Sequence, residues 1–115
     1  MPHLILEHSA ELATSHDLQA LVDDLFETAC AHPAISANPS AVKVRSNACQ
    51  HLRSGVSPET FAHLELRLLP GRSSETKADL AGALLKALER HLPKVGSLSV
   101  EPVEMDAATY VKRTL

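Results

Sequence analysis

The sequence predicts an α+β fold in which two βαβ repeats form one four-stranded mixed sheet with two helices on one face. Three observations carry that expectation. Short stretches alternate apolar and polar residues with the period of two that a half-buried strand requires. Two longer stretches space their apolar residues as an amphipathic helix does. The order strand, helix, strand then occurs twice, with an offset of 60 between His3 and His63 and of 62 between Leu18 and Leu80.

The first strand is expected from Pro2 to Glu7, where Leu4 and Leu6 share a face. A helix follows from about Ser15 to Ala31, with Leu18, Leu21, Val22, Leu25, Phe26 and Ala29 along one side. Thr14 and Asp17 have the spacing of a capping box in which Asp replaces Glu. The segment AHPAISANPSA, with two prolines and small polar residues, reads as a loop. Ala41 to Ser46 form the second strand, with Val42 and Val44 on one face and Lys43 and Arg45 on the other. Residues 47–59 connect the two halves.

Phe61 to Leu69 form the third strand, which sets Leu64, Leu66 and Leu68 opposite His63, Glu65 and Arg67. Pro70-Gly71 marks a turn. Ser73 is the expected cap of a second helix running to Leu92 on the stripe Leu80, Leu84, Leu85, Leu88 and Leu92, and Pro93 cannot continue it. Leu98 and Val100 mark the last strand, and MDAATYVKRTL is a tail. The pseudo-repeats therefore cover about 1–48 and 60–104 of a single domain, 1–115. Within each repeat the helix is the crossover that lets the second strand return parallel to the first. With both helices on one face, the other must be buried by self-association if it is apolar.

Composition narrows the function. The net charge of −3 comes with no basic block, and aromatic residues are 3% of the chain (Phe26, Phe61 and Tyr110), so neither an electrostatic footprint nor base-stacking platforms for nucleic acid are present. No apolar run approaches the roughly 18 residues of a membrane span. The first residues lack the pattern of a secretion signal, which points to the cytoplasm. Cys30 and Cys49 are too few for a disulfide framework and read as reduced thiols. Of the seven histidines, His3 and His8 fall on opposite strand faces, and no HExxH is present. No metal site and no cofactor are expected.

The order and spacing of these segments resemble the tautomerase superfamily, and within it the 5-carboxymethyl-2-hydroxymuconate isomerase family. MPHLILE is similar to that family's start, VKVRSNA at 42–48 to its basic second strand, and FAHLELRLLPGRSSETKADL at 61–80 to its third strand, Gly-Arg-Ser turn and following helix. The resemblance implies a homotrimer with its pocket between subunits. It also implies a cofactor-free 1,3-proton shift on a dicarboxylic or tricarboxylic dienol in bacterial breakdown of homoprotocatechuate. The chain has no tryptophan, so an aromatic pocket wall in the relatives is missing or replaced here.

Pro2 is the expected catalytic residue. Methionine aminopeptidase trims Met ahead of a small residue such as proline, which exposes a secondary amine. Burial beside Leu4 and Leu6, together with nearby cations, disfavours the ammonium and leaves a general base. Arg45 and Arg72 are the expected substrate-binding residues, with Lys43 as a secondary one, since a guanidinium grips a carboxylate through two parallel hydrogen bonds. His3 is expected at a sheet face or interface rather than in the chemistry. The alternative is a non-enzymatic ferredoxin-like small-molecule-binding or interaction module with the same element order, in which Pro2 has no role. Intact mass tests the premise. The mature protein should be lighter by one methionine residue, because with Met1 attached the Pro2 nitrogen is an amide without basicity.

Overall fold

Alternation along four strands decides how this molecule faces solvent. The computed structural model describes residues 2–35 and 38–115. Met1, Ser36 and Ala37 therefore lie outside the described residues, and with them the fate of Met1 and part of the expected loop. The strands are β1 (His3–Ser9), β2 (Lys43–Cys49), β3 (Phe61–Leu68) and β4 (Ser97–Glu104). The helices are α1 (Leu12–Ser15), α2 (Leu18–Ala31) and α3 (Ser74–His91), with a 3-10 turn at Pro39–Ala41.

The sheet order is β2-β1-β3-β4. β1 runs parallel to β2 and β3 parallel to β4, while β1 and β3 pair antiparallel with Leu4 opposite Leu66 and Leu6 opposite Leu64. The mixed sheet is thus the expected one. Each βαβ unit keeps its two strands side by side, unlike the split βαβ of a ferredoxin-like domain. The ferredoxin-like alternative fails on this connectivity.

Leu4, Leu6, Leu64, Leu66 and Leu68 point to the helices and meet Leu21 and Leu25 of α2 and Leu80, Leu84 and Leu88 of α3, all wholly excluded from solvent. Each such side chain contributes roughly 1.5–3 kcal/mol by leaving water. The opposite row carries His3, Ile5 and Glu7 from β1, Lys43 and Arg45 from β2, and His63, Glu65 and Arg67 from β3. This face is mainly polar, so apolar burial does not by itself demand a partner there. Among the described residues, no helix is long and apolar enough to cross a membrane.

α3 starts as expected: the Ser73 hydroxyl accepts the Thr76 N–H at 3.1 Å. The expected first helix is present as α2 but starts at Leu18 rather than at about Ser15, because an extended His16 separates it from the short, unexpected α1. Asp17 caps α2 itself, its carboxylate accepting the Ala20 N–H at 3.0 Å. Thr14 instead donates to the Glu11 carbonyl at 2.9 Å. A short Asp side chain satisfies an orphan N–H best from the N-cap position, so a fresh helix start displaces the capping box. β2 also runs past Ser46 to Cys49, because Ser46–Cys49 find partners in Leu6–Ser9 of β1.

Asp24 ties α2 to α3. Its carboxylate accepts from His91 Nε2 at 2.9 Å, Arg90 Nη2 at 3.0 Å and Thr28 Oγ1 at 3.2 Å. Burial pushes this carboxyl up, but the hydrogen bonds from His91, Arg90 and Thr28 outweigh it and hold it below the ordinary value. Stability from this cluster is thus present above the unfolded value of 3.8 and is lost as pH falls through the lower folded one. Asp24→Ala should cost about 1–2 kcal/mol at neutral pH by loss of charge-assisted hydrogen bonds. In thermal melts the gap to wild type should close as the pH is taken below the ordinary carboxylate range.

Candidate functional site

The start of β1 gathers most of the chemistry. Pro2 has no N–H to give to a ladder, but its carbonyl accepts the Lys43 N–H at 3.1 Å, so β2 pairs from there onward. Pro2 is buried. Strand alternation puts it on the side of Leu4 and Leu6 and sends His3 to the outer face.

Lys43 and Arg45 share that outer face and are exposed. Lys43 Nζ donates to the Ala41 carbonyl at 3.1 Å. Arg45 Nη1 donates to His3 Nδ1 at 3.2 Å. Arg72 lies elsewhere, in the turn after β3, where Gly71 takes a φ of 125° that side chains rarely adopt. Arg72 Nε donates to the Ala34 carbonyl at 3.0 Å and Nη1 to the Leu69 carbonyl at 3.2 Å. This half-buried guanidinium therefore ties the segment after α2 to the turn after β3. Its Nη2 has no hydrogen-bond partner among the described residues.

A cavity of about 530 Å³ opens on the outer face, lined by His3, Ile5, Arg45, Arg67, Tyr110 and the Glu104–Asp106 corner. That volume is ample for a small organic acid. Its far wall is the C-terminal segment. The Met105 N–H donates to the Leu68 carbonyl at 2.7 Å, which docks the segment beside the end of β3. The Asp106 carbonyl then accepts from the N–H groups of Thr109 and Tyr110 at 3.1 and 3.0 Å, closing a turn. The turn brings the Tyr110 hydroxyl to 3.0 Å from His3 Nε2, with the two rings edge to face at 6.2 Å.

The cavity holds charge of both signs. Arg45 and Arg67 face Glu104 and Asp106, and Glu104 is also paired with Lys77 at 3.6 Å. Burial first, and then the nearby charges of Arg45, Lys43 and Arg67, lower the His3 pKa below its ordinary 6.5. The neutral imidazole is accordingly favoured.

Within one chain the structure brings Arg45 to His3 and Tyr110 and leaves Arg72 off that cavity. Sequence reasoning missed Tyr110 and Arg67 as lining residues. Arg67 was readable as an outward residue of β3, two positions from Glu65. Tyr110 gave no signal, since it stands in a segment without periodicity.

Comparison with known proteins bears on what this arrangement does. The family model of CHMI, 5-carboxymethyl-2-hydroxymuconate isomerase, matches residues 2–114. Among solved structures, the chain is similar to a 5-carboxymethyl-2-hydroxymuconate isomerase from Deinococcus radiodurans R1, at 26% identity and a TM-score of 0.77, covering 99% of this chain and 90% of that one. A macrophage migration inhibitory factor from Toxoplasma gondii has the same fold at 19% identity and a TM-score of 0.73, over 96% of this chain and 95% of that one. So does a protein described as a fused 4-OT wild-type symmetric trimer, at 22% identity and a TM-score of 0.70, over 90% and 85% of the two chains. Comparison with the curated proteins found no match.

The Arg72 contacts predict a mixed phenotype for its removal. Arg72→Ala strips a charged donor from two backbone carbonyls and should destabilise the fold by about 1–3 kcal/mol. Chemical denaturation reads this independently of any activity. Arg72→Lys should recover only part of the loss, because one ammonium cannot reproduce the guanidinium fork.

Proposed function

Because the chain belongs to the 5-carboxymethyl-2-hydroxymuconate isomerase family, we propose that it converts a 2-hydroxymuconate-type dienol, specifically 5-carboxymethyl-2-hydroxymuconate, to its 2-oxo-ene isomer without a cofactor. A tautomerase-type isomerase follows from the family, and the substrate and the residue roles are the proposal. The observation that carries it is a family match that begins at Pro2 and runs to residue 114.

Pro2, freed as a secondary amine, takes the proton of the 2-hydroxyl group. The negative charge spreads along the conjugated chain, and the protonated amine returns the proton at a distant carbon. Nothing is oxidised overall, and the amine is regenerated. Burial at the start of β1 supports this role, because a low-dielectric setting keeps the amine neutral and able to accept a proton. Arg45 and Arg72 hold the carboxylates, with Lys43 in support, and the cation beside the 2-oxo end stabilises the charge that develops there.

Strand alternation favours a site shared between copies. Pro2 faces the helix side and Lys43 and Arg45 the outer side, so a pocket holding all three draws β2 from a neighbouring subunit. A homotrimer satisfies this, and one fold relative is described as a symmetric trimer. The proposed setting is cytoplasmic catabolism of homoprotocatechuate.

Ketonisation followed by ultraviolet absorbance tests the proposal on 2-hydroxymuconate and its 5-carboxymethyl derivative. The processed protein should turn over the carboxymethyl compound with the higher kcat/KM. Pro2→Ala should lower kcat by a hundredfold or more, within the range of about 10²–10⁴ that a general base supplies. Turnover no faster than in buffer refutes the isomerase reading and leaves an interaction protein on a tautomerase scaffold.

A further inference from the structure

The contacts of His3 admit one arrangement of protons while the ring is neutral. A guanidinium only donates, so the Arg45 contact at 3.2 Å requires the lone pair on His3 Nδ1. The ring proton is then on Nε2, where it is donated to the Tyr110 oxygen at 3.0 Å. With its oxygen accepting from His3, Tyr110 keeps its own hydroxyl proton available to another acceptor. Arg45 and Tyr110 both line the cavity of about 530 Å³ on the outer face.

We propose that His3 is a positioning residue that holds the Arg45 guanidinium and the Tyr110 hydroxyl as two donors for one carboxylate of the substrate. The inference rests on the isomerase reading through its assignment of Arg45 to substrate binding. Arg45 is exposed on a long stem, and a tether at one nitrogen limits the orientations it must give up when the anion arrives. The C-terminal segment thereby gains a role, since the turn at Asp106 brings Tyr110 to the site.

The arrangement is sensitive to acid. Protonated His3 carries N–H at Nδ1, loses the contact with Arg45 and sets a second cation beside it. The charges facing His3 are Lys43 and Arg45 from β2 and Arg67 from β3, with Glu104 and Asp106 across the cavity. Substrate binding should weaken as pH falls below the ordinary histidine value of 6.5, through the lower one of folded His3.

Steady-state kinetics and nitrogen NMR of the processed protein decide the matter together. Long-range proton–nitrogen spectra at pH 7.5 should show His3 with a bare Nδ1 and a protonated Nε2, assigned by the signal lost in His3→Gln. His3→Leu should raise KM about tenfold and Tyr110→Phe several-fold, each with a much smaller change in kcat. His3→Gln, whose amide can accept from Arg45 and donate to Tyr110, should keep KM low and lack the rise in KM at acid pH. An Nδ1–H tautomer overturns the inference whatever the activity. So does an unchanged KM in both His3→Leu and Tyr110→Phe beside a raised KM in Arg45→Ala, which leaves the Arg45 assignment standing. A loss confined to kcat in His3→Leu also overturns it, since His3 would then act on Pro2. If Arg45→Ala leaves KM unchanged, the Arg45 assignment falls and the inference with it.

Discussion

The antiparallel junction of β1 and β3 is the constraint on which the rest of the molecule depends. It joins the two βαβ units into one sheet and sets Leu4 against Leu66 and Leu6 against Leu64 in a single register. A slip of one residue would turn every leucine of β1 to solvent and bring His3, Ile5 and Glu7 to the helices. The leucines of α2 and α3 cover the inward row and hold the register by making the alternative costly. The same register puts His3 opposite Arg67 and so assembles one wall of the outer cavity. Core and site are two faces of one pairing.

That economy shapes how the cations are used. Arg72 and Arg45 look equivalent as arginines near strand ends, yet their surroundings separate them. Arg72 holds two backbone carbonyls and is part of the scaffold, with no hydrogen-bond partner for its Nη2 among the described residues. Arg45 contacts one neutral imidazole and remains open to the cavity. A fixed guanidinium favours orientation of an anion, whereas an exposed one must be held by something else. Here His3 does the holding, drawn into place by its own position on β1 and by a tyrosine 107 residues away.

The places where local reading failed have identifiable physical causes. Asp17 suits either a capping box or an N-cap, and only the break at His16 selects the second. β2 extends to Cys49 because β1 offers it partners, not because residues 47–49 alternate. The outer sheet face is polar in detail, although a one-sided layer of helices raises the expectation of a buried opposite face. For β2 a partner distant in sequence resolved an ambiguity that its neighbours could not, whereas at Asp17 the extended residue next to it did.

Strand alternation, two leucine stripes, the Ser73 cap and the stop at Pro93 are local properties, and the sequence by itself determined them together with the βαβ repeat. It also determined that Pro2 heads the first strand and that Lys43 and Arg45 share a face. Tertiary structure alone decided that β1 lies between β2 and β3, that Arg72 ties two loops, and that Tyr110 closes on His3. Those contacts depend on turns and on pairings across tens of residues. Periodicity records which side a residue faces, and it carries no information about which distant side chain it will meet.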